Sequence, residues 1–250
     1  MSDSWTFYFT RFADGPASIY VNLGLASEAP ISGLFQAARV TVRMIHPRED
    51  GLSRGDEAKT FWQIEDALNA EVTIGTPAGI SAGRITAGGR WELFYFVPSA
   101  DGWTSRIAAV MTGFPEYQWQ TDIREDRAWE AYTSLLPNEE QRESIENRKV
   151  CEQLESRGDA LNQPREIDHW INFPLAEQRE NFAMRAAVMG FLTRGLLEAD
   201  TENDQCGIQI YRVDLPSFQN IDQVTLPLYR LARECGGEYT GWETQVLKPD

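Results

Sequence analysis

His169 lies between Asp168 and Trp170, and an imidazole beside a carboxylate is a pairing that general acid–base chemistry uses. The segment Glu166 to Phe173 reads as a strand, however, and neighbours along a strand point to opposite faces, so Asp168 and His169 do not form a local pair. The second of the two histidines, His46, precedes Pro47 and reads as a loop residue. Glu65 and Asp66 adjoin on an expected helix and point in different directions there, which suits a solvated or capping role. The three cysteines, Cys151, Cys206 and Cys235, are an odd number without short spacing, which is the pattern of buried structural thiols rather than of a metal cluster or disulfide framework. Two histidines also starve most metal sites, so neither a metal nor a cofactor is expected.

Catalytic signatures are missing from the sequence: no G-x-S-x-G elbow, no phosphate-binding Walker loop, no G-x-G-x-x-G and no H-E-x-x-H. The glycine-rich stretch Gly75 to Gly89 is flanked by strand-like runs, so a hairpin explains it better than a phosphate cradle. What remains is binding chemistry. Asp200, Glu202 and Asp204, with Glu198 just before them, make an acidic stretch whose turn, Asp200 to Asp204, is either a polar hairpin tip or a contact for arginine and lysine on a partner. Tyr239 and Trp242 are aromatic residues of the kind that dominate interfaces, and also of the kind that fill cores.

The composition agrees with binding. Of 250 residues, 23 are basic and 38 acidic, for a net charge of −15 that is spread over both halves. Such a surface repels a phosphate backbone and suits basic protein partners, so direct nucleic-acid binding is not expected. Apolar residues make up 42%, enough for a packed core, and no run reaches the roughly 18 apolar residues of a membrane span. The N-terminus lacks the basic start and apolar stretch of a secretory signal, so the expected compartment is the cytoplasm.

The elements that must position these residues follow from periodicity and punctuation. Trp5 to Phe9 and Ser18 to Leu23 read as an opening hairpin about Asp14-Gly15-Pro16. Gly24 to Gln36 stays open between a loop and a short helix. Arg39 to Met44 is a half-buried strand, Glu57 to Val72 a helix, and Ile80 to Thr86 with Arg90 to Val97 a hairpin. A helix from Gly102 to Thr112 and a strand from Tyr117 to Asp122 follow. A short helix over Ala128 to Leu136 then stacks Trp129, Tyr132 and Leu136 on one side. The charged stretch Asn138 to Glu146 marks a boundary and opens a helix carrying Ile145, Val150 and Leu154.

Beyond it come the Glu166 to Phe173 strand and a helix over Leu175 to Leu192. Gly195 then punctuates, and Leu196 to Ala199 forms a strand. Cys206 to Leu215 is its partner, and Ile221 to Cys235 is a helix whose Val224, Leu228, Leu231 and Cys235 share a face. Gly236 and Gly237 stop it, and Glu238 to Val246 is a last strand with a bulge or close approach at Gly241. Each half therefore runs strand, helix, strand, strand, helix, strand. That is an α+β chain of two tandem ferredoxin-like (split βαβ) domains, residues 1–137 and 138–250.

Two family resemblances accompany these motifs. Trp5-Thr6-Phe7-Tyr8, Tyr20-Val21-Asn22-Leu23, Ile64-Glu65-Asp66, Arg90-Trp91-Glu92-Leu93-Phe94-Tyr95 and Asp126-Arg127-Ala128-Trp129-Glu130-Ala131-Tyr132 resemble the domain of unknown function 695, over most of residues 1–137. That resemblance implies no particular activity. Gly237-Glu238-Tyr239-Thr240-Gly241-Trp242-Glu243-Thr244 resembles the closing G-x-x-Y-[DT]-G-W-x-T stretch of RraB, the regulator of ribonuclease E activity B. The Glu166-to-Phe173 strand, Ala186-Ala187-Val188-Met189-Gly190-Phe191 and the acidic turn extend it over roughly residues 145–250. The chain departs from that family in its N-terminal domain and in ending at Lys248-Pro249-Asp250 rather than in a long acidic tail.

The second resemblance implies a non-catalytic, acidic protein that binds ribonuclease E, or another basic protein, and restrains RNA processing. Glu198, Asp200, Glu202, Asp204, Tyr239 and Trp242 are the residues expected to meet the partner. Two other readings stay open. One is an immunity or antitoxin-like protein that plugs a basic toxin face; the other is a small-molecule binder at an interdomain cleft.

Overall fold

The computed structural model describes residues 3–13, 15–198 and 205–248. The chain folds as two compact units, Met1–Gln141 and Arg142–Asp250, each an α+β body around its own antiparallel sheet.

The first unit contains β1 (Trp5–Phe12), β2 (Gly15–Asn22), β3 (Gln36–Arg43), α1 (Gly55–Val72), β4 (Ile80–Ala87), β5 (Arg90–Val97), α2 (Trp103–Met111), β6 (Trp119–Glu125) and the one-turn α3 (Glu130–Thr133). Its six strands run in the order β1-β2-β4-β5-β3-β6. Alternation along β3 and β5 turns Val40, Val42, Leu93 and Tyr95 to one face, where Phe61, Ile64 and Leu68 of α1 and Trp103, Ile107 and Met111 of α2 cover them. Phe96 points the other way and stacks on Trp129 at 3.9 Å. Buried hydrogen bonds tie that second layer together. Trp129 Nε1 donates to the Leu34 carbonyl at 2.9 Å, Tyr132 to that of Asn22 at 2.8 Å, and Tyr8 to that of Leu135 at 2.9 Å.

Two expectations are corrected here. Trp129 adopts φ 57° and precedes α3, because the Asp126 carboxylate takes the amides of Glu130 and Ala131 and closes the turn there. Leu135, rather than Leu136, is the buried leucine that follows. Glu65 is not a solvated or capping residue. It forms a half-buried ion pair with Arg84, whose guanidinium lies over the rings of Tyr20 and Phe61. The stretch between β2 and β3 holds a short 3-10 turn, Leu23–Ser27.

The second unit contains most of α4 (Glu139–Ser156), then β7 (Arg165–Phe173), α5 (Ala176–Val188), β8 (Leu192–Leu197), β9 (Cys206–Asp214), α6 (Ile221–Glu234) and β10 (Glu238–Thr244). Its strands run β10-β7-β9-β8, every pair antiparallel. Ile167, His169, Ile171 and Phe173 alternate onto the face that α5 and α6 cover. Val224, Leu228 and Leu231 of α6 join that core, each contributing about 1.5–3 kcal/mol by leaving water. Cys151 and Leu154 of α4 pack with Ile167, Ile221 and Trp242 in a second cluster.

The helix expected to reach Leu192 stops at Val188, since Gly190 takes φ 87° and turns the chain back. Leu192 opens β8, and Gly195 lies inside that strand at a register shift rather than before it. On α4 the fully buried positions are Ile145, Asn147, Cys151 and Leu154, with Val150 only half-buried. All three cysteines are buried free thiols.

Candidate partner-binding site

The closing stretch Gly236 to Thr244 has a structural task at nearly every position. Gly236 takes φ 79° to end α6. At Gly237 a Cβ would lie 2.3 Å from the Phe173 ring and 2.7 Å from the Asn172 carbonyl, so only glycine lets α6 hand the chain to β10 there. Thr240 donates its hydroxyl to the Trp170 carbonyl at 3.1 Å, and Thr244 donates to that of Glu166 at 2.7 Å. Gly241, at φ 131°, carries the bulge that re-registers β10 against β7.

Tyr239 and Trp242 face inward, 5% and 7% exposed. The Tyr239 hydroxyl hydrogen-bonds to His169 Nδ1 at 2.8 Å. Burial, with the Arg212 guanidinium nearby, lowers the His169 pKa to about 3, so the ring is neutral; burial also raises the Tyr239 phenol well above its ordinary value. Trp242 Nε1 donates to Asn147 Oδ1 at 2.8 Å. The Asn147 amide in turn donates to Asp222 and to the Thr225 hydroxyl, both at 2.7 Å, and Ser144 also bonds Asp222. A buried polar network of this kind fixes the angle at which α4 meets β10.

That angle opens a groove of about 490 Å³. One wall is the α4 stripe Glu143, Glu146, Val150 and Gln153; the other is Tyr239 to Glu243, with Trp170 beyond. Lys149 is paired with Glu146 at 2.7 Å. The Glu143 carboxyl is raised above its ordinary value by burial first and then by the negative charges of Glu146 and Glu238. The wall is therefore carboxylate-rich and short of cations. A second hollow, about 550 Å³, is lined by Arg165, Glu166, Asp168, Arg194 and Glu243. Its Arg194 already bonds Asp168 and Glu166, each at 2.6 Å, and lies 4.1 Å over the Tyr211 ring, so it holds no spare charge for a ligand.

Glu198 lies away from the groove. It follows β8, at the opposite edge of the sheet from β10, and pairs with the buried Arg179 at 3.0 Å. Asp200, Glu202 and Asp204 lie outside the described residues. Of the expected contact residues that are described, Glu198 lies beside one edge strand and Tyr239 and Trp242 lie on the other. The α4 stripe escaped sequence reading because its alignment depends on Asn147, a polar residue in a buried row. The spacing of Glu143, Glu146, Val150 and Gln153, by threes and fours, was the available signal. Among the described residues, no group of three or more His, Cys, Asp and Glu could hold a metal ion, and no helix is long and apolar enough to cross a membrane.

Comparison with known proteins gives two family matches, and no curated protein matches the chain. Among solved structures, an unknown protein from Galdieria sulphuraria aligns over 85% of this chain and 99% of its own, at 15% identity and a TM-score of 0.24. A putative glycine cleavage system transcriptional repressor aligns over 84% and 98%, at 12% identity and 0.25. Similarity at that level bears on neither fold nor function. The family models are more informative. Residues 3–137 match the family of unknown function DUF695, and residues 144–244 match Regulator of ribonuclease activity B. The first match spans more than half of the sequence, so the chain belongs to the DUF695 family, and it carries a Regulator of ribonuclease activity B domain behind that region.

Proposed function

We propose that the protein is a non-catalytic binding regulator whose C-terminal domain, residues 138–250, docks a protein partner and thereby restrains RNA processing. Ribonuclease E is the first partner to test, in the cytoplasm. The observation that carries this reading is the match of residues 144–244 to Regulator of ribonuclease activity B. The net charge of −15 supports it, because it favours a basic protein surface over RNA itself.

The strand order β10-β7-β9-β8 supports a ferredoxin-like reading of this domain. In the region 1–137, β4-β5-β3-β6 supports the same reading, with the β1–β2 hairpin added at one edge. The proposed contacts are the acidic residues Glu198, Asp200, Glu202 and Asp204. Tyr239 and Trp242 act from beneath, by holding the wall of the groove. The partner's surface is blocked or reshaped without bond chemistry.

Cleavage of a defined RNA by purified ribonuclease E, at rising concentrations of the full chain, tests the reading. It predicts a saturable fall in rate whose midpoint matches the measured binding affinity. Unchanged cleavage at saturating protein sinks it.

A further inference from the structure

β10 is an edge strand: it pairs with β7 on one side, and its other side meets the groove walled by α4. A sheet edge presents a row of backbone N–H and C=O groups that can accept a further strand. At Gly241, in the middle of the groove wall, a Cβ would meet no atom beyond its chain neighbours within 4 Å, so no side chain covers that face of the strand. The α4 stripe from Glu143 to Gln153 spans about 15 Å at the helical rise, which matches about five residues of extended chain.

Charge decides among the possible occupants. Glu143, Glu146 and Glu243 line the groove and Glu238 begins the strand, against one cation, Lys149, that Glu146 already engages. A phosphodiester is repelled there. A second copy paired edge to edge would bring Glu238 and Glu243 of each β10 towards those of the other, and like charges across a strand pair are destabilising. A cationic segment relieves the carboxylates.

We propose that the α4–β10 groove takes an extended segment of a partner protein bearing alternate arginine or lysine side chains, which adds as a fifth strand to β10 and sets its cations against Glu143 and Glu146 of α4. This rests on the reading of the C-terminal domain as a protein-binding domain, and it supplies the chemistry of the segment that is bound.

Calorimetry on the full chain tests it with three end-capped heptapeptides. One alternates arginine and valine, one has glutamate for arginine, and one is the arginine peptide with every backbone amide methylated. The arginine peptide is expected to bind, the glutamate peptide to show no heat, and the methylated peptide to lose at least about tenfold in affinity through its missing N–H donors. The variant Glu146→Lys changes an exposed side chain of α4 and is expected to weaken the arginine peptide about tenfold or more. Failure of the arginine peptide to bind overturns the proposal, as does equal binding of the methylated peptide to the wild type or of the arginine peptide to Glu146→Lys. If these peptides fail while the chain still restrains ribonuclease E, the groove assignment falls and the regulator reading stands. If the arginine peptide behaves as expected while cleavage is unaffected, the groove stands and the ribonuclease reading falls.

Discussion

Acidification from pH 7 to pH 4 weakens the C-terminal domain through one side chain, His169. The ring is fully buried, hydrogen-bonded to Tyr239, and its pKa lies at about 3 instead of the ordinary 6.5, because burial and the nearby Arg212 both disfavour the charged form. A depressed folded-state pKa means that the unfolded chain binds the extra proton, so stability rises with pH across this window. The contribution is complete above pH 6.5 and is lost progressively as pH falls towards 3. Linkage between those two values gives a loss of about 3 kcal/mol at pH 4 from this residue alone.

The assay is native-state amide exchange of β7, which reports the opening of this domain by itself. It is run at pH 7 and pH 4 on the wild type and on His169→Gln, whose side chain can still bond Tyr239 but does not titrate. The wild type should lose about 3 kcal/mol more than the variant over that interval. Histidine-selective NMR gives a second readout, since the chain has two imidazoles. Parallel losses in both proteins, or a His169 signal titrating near 6.5, would refute the reasoning.

Other perturbations follow from the same contacts. Gly237→Ala drives a methyl group into Phe173 and the Asn172 carbonyl, and should lower stability in urea unfolding by about 1–3 kcal/mol. Asn147→Ala strips partners from Trp242, Asp222 and Thr225; about 1–3 kcal/mol is expected for each group left buried, with a red shift of Trp242 emission if the α4 contact opens. Asp159 pairs with Arg165 at 2.6 Å, with both side chains under 10% exposed, so Asp159→Ala should cost about 3–5 kcal/mol in the same assay. Burial pushes the Cys151 thiol up to about 12, so it should resist iodoacetamide at pH 8 until urea unfolds the chain.

Much of the element order was legible because apolar spacing and turn residues agree. The Ala87-Gly88-Gly89 hairpin and the α6 face of Val224, Leu228 and Leu231 are examples. What escaped depended on distant partners. The end of α5 was obscured because Phe182 to Leu192 is nearly continuous in apolar residues, and only the positive φ of Gly190 marks the reversal. Asn147 belongs to the buried face of α4 because Trp242, 95 positions later, supplies the donor it accepts. Glu65 leaves the solvent because Arg84 reaches it from β4. The closing aromatic–glycine motif was legible as a family mark and as a strand with a bulge at Gly241, while its buried hydrogen bonds to His169 and Asn147 were not. The groove it helps to wall is built from Glu143 and Glu146, which in sequence are two among many carboxylates.

The measurement closest to the central claim is the rate of RNA cleavage by ribonuclease E against concentration of the full chain, with binding followed in the same samples. The account predicts that cleavage falls to a plateau as binding saturates, with a common midpoint. Cleavage that stays at its starting rate while the protein is saturating would contradict it.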